Sequence, residues 1–148
     1  KNIHLHSSKG IGYMNKLDII RGKDYVDDHK LFISKVTSEH AGEPDKAGKY
    51  RVLSSSGLLP PNHICTDSYL MIGPFKNEDE SNDFLNYIRT KFVRYLLLQA
   101  TTSINLSKEK FCFIPKLQQF NGNDESLYSM FQLTKDEIDE IENTIKDY

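Results

Sequence analysis

The residues best able to do chemistry in this 148-residue chain are its cations and the aromatic rings beside them. Lys49-Tyr50-Arg51, Lys91-Phe92 and Arg94-Tyr95 each place a positive side chain next to a ring. Ammonium and guanidinium groups anchor phosphates, and Arg, Asn and Gln read base edges, so this pairing points to nucleic acid. Lys91 and Arg94 are three residues apart and share one face of a helix. Lys35, which has no ring beside it, joins Lys49, Arg51, Lys91 and Arg94 as the candidate nucleic-acid contacts. The competing explanation is a set of ordinary solvated charges. For Lys91 and Arg94 there is a further one, pairing with an acidic tail or bracing a neighbouring domain.

Other chemistries are less well supplied. His4-x-His6 and His63-x-Cys65 each offer two metal ligands, but a structural zinc site wants four and the usual C-x₂-C pairs are absent. Cys112, between Phe111 and Phe113, reads as a core thiol on a strand, with no partner that would activate it. Gly10-Ile11-Gly12 is a fragment of a phosphate-loop pattern without its third glycine. Asp24, Asp28 and Lys30 imitate the carboxylate–lysine set of a metal-dependent nuclease. Their spacing is loose enough for a solvated turn to explain it equally well.

Net charge is −2, which argues against a plain polyanion binder. The average hides an asymmetry. Residues 1–116 hold 17 Lys and Arg against 13 Asp and Glu, a net of +4, whereas residues 117–148 hold 2 against 8, a net of −6. Hydrophobic residues make up 38% of the chain, enough for a real core. No apolar run reaches the roughly 18 residues of a membrane span. Two cysteines are too few for a disulfide scaffold and suit a reduced, cytoplasmic setting. The chain opens on Lys1 rather than Met, which points to a piece of a longer protein.

The elements that must position these side chains are an α+β set. Strands are predicted at 31–36, 50–53, 68–72 and 110–114, forming a small, mostly antiparallel sheet. Lys1 to Gly12 shows no clear period, and 37–49 and 54–63 read as long loops. Asn77 caps a helix predicted over 78–100, with Phe84, Leu85, Ile88, Phe92, Val93 and Leu96 on its buried stripe. A short helix is expected over 125–131. Thr134 and Glu137 form a capping box for a last helix, which docks Ile138, Ile141 and Ile145 onto the body and keeps its charges in water. The division is residues 1–120 as an α+β body and 121–148 as an acidic helical tail packed on it.

The second half carries a resemblance. Cys65-Thr66-Asp67-Ser68-Tyr69-Leu70-Met71-Ile72-Gly73-Pro74-Phe75 is followed by Tyr87-Ile88-Arg89-Thr90-Lys91-Phe92-Val93-Arg94-Tyr95-Leu96. Then come Phe113-Ile114-Pro115 with Phe120, and Leu127-Tyr128, Phe131, Leu133-Thr134, Glu137-Ile138, Ile141-Glu142 and Ile145-Lys146. Together they resemble the C-terminal region of bacterial adenine-specific DNA methyltransferases of type II restriction–modification systems, including fused methyltransferase–endonuclease enzymes. The resemblance runs from Cys65 to the end. Upstream it thins to Gly12-Tyr13 and the strand at Lys30–Ser34.

That resemblance implies a non-catalytic target-recognition domain, itself not an enzyme, that binds double-stranded DNA. Its partner would be an N-terminal methyltransferase domain of the same parent chain. S-adenosylmethionine would belong to that missing domain, because the Gly-rich donor motif and the Asn/Asp-Pro-Pro-aromatic motif of the target-base pocket are not in this sequence. Pro60-Pro61 stands between Leu59 and Asn62 and does not qualify. Residues that read a particular DNA sequence would sit in the loops at 37–49 and 54–63. Two alternatives stay open: a scaffold subdomain joining methylation and cleavage modules, marked by a large exposed apolar patch, and the nuclease fragment at Asp24 and Asp28.

Overall fold

The computed structural model describes residues 2–36, 44–100, 107–117 and 120–148. It is an α+β fold in which six strands make two three-stranded, mostly antiparallel sheets. β1 (Asn2–Ser7), β2 (Gly10–Asn15) and β5 (His63–Cys65) form the first, in the order β2-β1-β5. β3 (His29–Ser34), β4 (Ser56–Leu59) and β6 (Tyr69–Phe75) form the second, in the order β4-β3-β6. α1 (Glu78–Arg89), α2 (Lys91–Ala100), α3 (Asp124–Met130) and α4 (Lys135–Thr144) complete the fold. No helix among the described residues is long and apolar enough to cross a membrane.

The second sheet holds the main core. Leu31 and Ile33 of β3 point into it with no exposure, and they meet Leu85 and Ile88 of α1, Val93 and Leu97 of α2, and Leu127 of α3. Ile141 and Ile145 close this core from the C-terminal side, with Ile138 partly buried against it. The first sheet has a smaller core of its own, Ile3, Val26 and Ile64, with Leu5, Met14 and Ile19 packed around it.

β3 and β6 lie where the sequence places strands. The other two expected strands do not form. Residues 50–53 contribute an isolated parallel bridge from Tyr50 to Ile145. Lys108–Phe113 is a 3-10 helix rather than a strand, and it turns Cys112 and Phe113 outward, with Phe113 66% exposed. Cys112 is thus not the core thiol that a strand would have made it. A short apolar run does not fix its own period, and among the described residues no neighbouring strand supplies a ladder to it.

The first hairpin replaces the expected loop. Ile3 and Leu5 face the smaller core while His4 and His6 take the opposite, half-buried face, the alternation of a strand. Ser8 and Lys9 form its two-residue turn, with Ser7 Oγ donating to Gly10 O at 2.9 Å and Gly10 at φ +121°.

The helix expected over 78–100 is broken at Thr90, whose backbone is extended (φ −62°, ψ 154°). Three side chains stabilise the break. Thr90 Oγ1 accepts from Val93 N at 3.2 Å. The Asp124 carboxylate accepts from Lys91 N (3.0 Å) and Phe92 N (2.9 Å), capping α2 from a distant segment. Arg94 Nε donates to Arg89 O (2.8 Å), a carbonyl left over at the end of α1, and to Thr90 O (3.2 Å), which also accepts from Arg94 N. The apolar stripe runs unbroken across Thr90, which is why the periodicity alone reads as one helix. The two C-terminal helices form where they are expected; the Thr134–Glu137 capping box is in place, and α3 has a box of its own at Asn123 and Ser126.

Candidate nucleic-acid interface

Lys35 follows the last residue of β3, and around it opens a cleft of about 510 Å³. Ser8 from the first hairpin, Ser34, Lys35, Val36, Ser55, Ser68 and Tyr69 line it. Backbone ladders hold these residues together: Ser34 N donates to Ser55 O at 2.8 Å and Lys35 N donates to Ser68 O at 3.2 Å. Four serines, a tyrosine and a lysine thus border the cleft where β3, β4 and β6 meet the tip of the β1–β2 hairpin. Hydroxyls and a cation are the groups that bind phosphate oxygens.

The Ser54-Ser55-Ser56 run ties this cleft to a second group of cations. Ser54 Oγ donates to Val36 O at 2.7 Å. Ser55 lines the cleft. Ser56 Oγ accepts from Arg89 Nε at 2.9 Å, while Arg89 Nη2 donates to Ser56 O at 2.8 Å. Ser56 Oγ also shares a 2.7 Å hydrogen bond with the Tyr148 hydroxyl. Over the Tyr148 ring stand three guanidinium groups: Arg51 at 4.5 Å from the ring centroid, Arg89 at 4.8 Å and Arg94 at 5.5 Å.

The five candidate contacts therefore separate. Lys35 sits in the cleft. Lys49 closes a turn in which Asp45 Oδ1 accepts from Lys49 N and Ala47 N, each at 2.9 Å. Arg51 is half-buried over Tyr148. Lys91 has only 18% of its side chain exposed and donates to Glu142 at 2.6 Å, with Asp147 at 3.2 Å. The Glu142 hydrogen bond holds its ammonium above the ordinary lysine value. Arg94 is 1% exposed and gives Nη1 to Arg51 O (3.1 Å) and Lys146 O (2.9 Å), besides its bonds at the helix break. Burial on that scale does not fit a DNA contact at Arg94, and the acidic tail occupies Lys91. The Thr90-Lys91-Phe92-x-Arg94 stretch that carries the resemblance builds the break between two helices and docks the tail.

Arg89, Ser56 and Tyr148 were not among the sequence candidates. The Ser54–Ser56 run was the available signal, since three consecutive hydroxyls beside a cationic strand end suit phosphate oxygens. The segment 37–43, part of one expected recognition loop, lies outside the described residues. The other, 54–63, forms much of β4 and the start of β5 and borders both the cleft and the arginine group.

The histidines come together as rings. His4 stacks on His63 at 4.3 Å between centroids, His6 Nε2 and His63 Nδ1 share a 2.9 Å hydrogen bond, and His6 lies 5.6 Å from Phe32. Burial, and then the neighbouring imidazoles, lower the pKa of His6 and His63 below the ordinary histidine value. Cys65 is half-buried, and burial pushes its thiol up to about 11. Among the described residues, no group of three or more His, Cys, Asp or Glu is placed to hold a metal ion. Asp24 is exposed, and Lys30, at 1% exposure, donates to the backbone carbonyls of Asp28 (2.6 Å) and Val26 (3.4 Å) rather than to a carboxylate. The nuclease alternative gains no carboxylate cluster there.

Comparison of the chain with protein-family models, curated proteins and solved structures finds no match.

Proposed function

We propose that this chain is a non-catalytic DNA target-recognition domain, acting with a methyltransferase domain of a restriction–modification enzyme that modifies adenine. The observation that carries the DNA part is the Lys35 cleft. It is bordered by four serines, a tyrosine and a lysine at the end of β3. The methyltransferase part rests on the sequence resemblance from Cys65 onward. In this reading, S-adenosylmethionine and the adenine pocket belong to the partner domain, and the protein works on double-stranded DNA in the cytoplasm. In this reading Lys35 and the serines around it contact phosphates, Lys49 and Arg51 are further phosphate contacts, and Lys91 and Arg94 support the fold.

The test is a titration with random duplex at about 50 and about 200 mM salt, the interval over which phosphate contacts lose most of their affinity. Binding with a negative salt slope that flattens by about one in Lys35→Ala supports the reading. Binding that ignores salt, or a slope untouched by Lys35→Ala, removes it.

A second reading has an observation of its own. Ile11, Tyr13, Leu17 and Ile20 are 60%, 66%, 79% and 94% exposed within ten residues of chain. An apolar hollow of about 370 Å³ also opens along β6 between Tyr25, Met71, Phe84 and Phe111. Exposed apolar surface of this kind marks a contact with another protein surface. Under this reading, the chain is the subdomain that joins methylation and cleavage modules. Loss of association with the parent's catalytic domain in Leu17→Asp/Ile20→Asp, with DNA binding unchanged, favours it.

A further inference from the structure

We infer that His6 and His63 form a two-histidine chelate for a first-row divalent metal ion, which clasps the first hairpin to β5. The site is independent of the DNA reading.

The sequence offers two ligand pairs, His4-x-His6 and His63-x-Cys65, far apart in the chain. The fold brings them side by side. β1 and β5 run parallel, with His4 opposite His63 and His6 opposite Cys65. Residues two apart on a strand share a face of the sheet, and paired residues on neighbouring strands share it too. Leu5 and Ile64, the pair between them, go to the smaller core. The three imidazoles and the thiol therefore leave from the opposite face. Backbone hydrogen bonds at both ends of this short ladder hold its register. His4 N donates to Asn62 O at 2.9 Å, and Thr66 N donates to His6 O at 3.0 Å.

Two of these side chains meet at chelating range. His6 Nε2 and His63 Nδ1 are 2.9 Å apart. Divalent metals take imidazole nitrogen at about 2.0–2.1 Å. A metal at that distance from both nitrogens subtends an angle of about 90° between them, the cis angle of tetragonal Cu²⁺ and Ni²⁺ sites. The tetrahedral angle of Zn²⁺ asks the nitrogens to part by only about 0.4 Å. In the metal-free pair, one facing nitrogen carries a proton and the other a lone pair. When the metal enters, the donor ring takes its other neutral tautomer, and both facing nitrogens present lone pairs.

Neighbouring rings set the orientation of the pair. His4 stacks on His63 at 4.3 Å with planes 5° apart, and His6 lies against Phe32 at 5.6 Å. Outer contacts of this kind orient ligand imidazoles and tune their affinity. Both histidines are half-buried, within reach of solvent. No third His, Cys, Asp or Glu among the described residues converges with them, so water completes the coordination. The consequence is mechanical. β5 has three residues, and three residue pairs join it to β1. A metal bridge between His6 and His63 adds a link between segments 57 residues apart. It steadies the hairpin whose tip carries Ser8, one of the residues lining the Lys35 cleft.

The experiment titrates the untagged whole chain with NiCl₂ and with ZnCl₂ by calorimetry, and follows Zn²⁺ by NMR of the imidazole nitrogens. Variants are His6→Gln, His63→Gln, His4→Gln and Cys65→Ala, with His29→Gln as the control, each with a thermal melt to establish folding. One ion should bind per chain. His6→Gln and His63→Gln should each weaken binding about tenfold or more, while His4→Gln, Cys65→Ala and His29→Gln stay within about threefold, since only the first two remove a ligand. Zn²⁺ should shift the His6 Nε2 and His63 Nδ1 resonances and leave those of His29 in place. At a hundredfold excess of Zn²⁺ over Kd, Tm should rise by about 5–10 °C in the wild type and not in His6→Gln. Wild-type affinity in folded His6→Gln or His63→Gln overturns the chelate. So does an equal loss across all the histidine variants, which marks scattered single-imidazole binding. A loss in Cys65→Ala as large as in His6→Gln overturns the two-histidine assignment. No binding at millimolar metal overturns the site altogether.

Discussion

Replacing Arg94 with Met asks whether this residue is a structural clamp or a DNA contact. Met fills much of the same volume but donates nothing. Arg94 donates to four carbonyls, those of Arg89, Thr90, Arg51 and Lys146. Thr90 O keeps Arg94 N and Arg51 O keeps Leu53 N, so the loss falls on Arg89 O and Lys146 O. Two half-buried acceptors stripped of a charged donor cost about 1–3 kcal/mol each, and the buried cation's own desolvation, which Met avoids, returns part of that. The net expectation is a loss of about 3 kcal/mol, or roughly 10 °C in Tm for a domain of this size. Urea and thermal unfolding followed by circular dichroism measure it, alongside a duplex titration under conditions where the variant stays folded. The salt slope of binding should be that of the wild type, because a side chain 1% exposed meets no phosphate. A variant as stable as the wild type but with a flatter salt slope would refute the clamp and restore Arg94 as a DNA contact.

Asp124→Ala should cost about 1–2 kcal/mol by uncapping α2 at Lys91 N and Phe92 N, and Asp124→Asn should recover part of it; both are read by urea unfolding. Stability should fall as pH drops below about 6.5, because His6 and His63 bind protons more weakly folded than unfolded and the unfolded chain then takes up more of them. His6→Gln/His63→Gln should flatten that part of a Tm-against-pH curve. Glu142 adds a lower-pH component, since the Lys91 hydrogen bond holds its carboxyl below the usual range and that contribution is lost on acidification; Lys91→Met should remove it from the same curve.

How much was legible depends on how local each cause was. β3 and β6 carry β-branched and aromatic runs bounded by turn residues, and α4 carries its Thr134–Glu137 cap in sequence, so short-range rules located them. The first hairpin was also written locally, in the alternation of Ile3 and Leu5 with His4 and His6, but the rings on its outer face obscured the pattern. The break at Thr90 depends on Asp124, 34 residues away, and on the carbonyls that Arg94 meets, so no window around residue 90 contains its cause. Lys108–Phe113 became a 3-10 helix for a related reason: its apolar run suits a strand only where a neighbouring strand offers a ladder.

The site divides the same way. Sequence alone determined which residues carry charge, that the tail is acidic, and that it docks through Ile141 and Ile145. Residue type and helical spacing fix those properties without reference to the rest of the chain. Which cations face solvent was decided by tertiary structure. Lys91 and Arg94 share a helix face in sequence, yet the tail and the broken helix end spend them on internal partners. Lys35 reaches the cleft because two sheets and a hairpin tip bring Ser8, Ser34, Ser55 and Ser68 to it. Exposure and convergence are properties of contacts between distant segments, and packing, rather than local propensity, sets them.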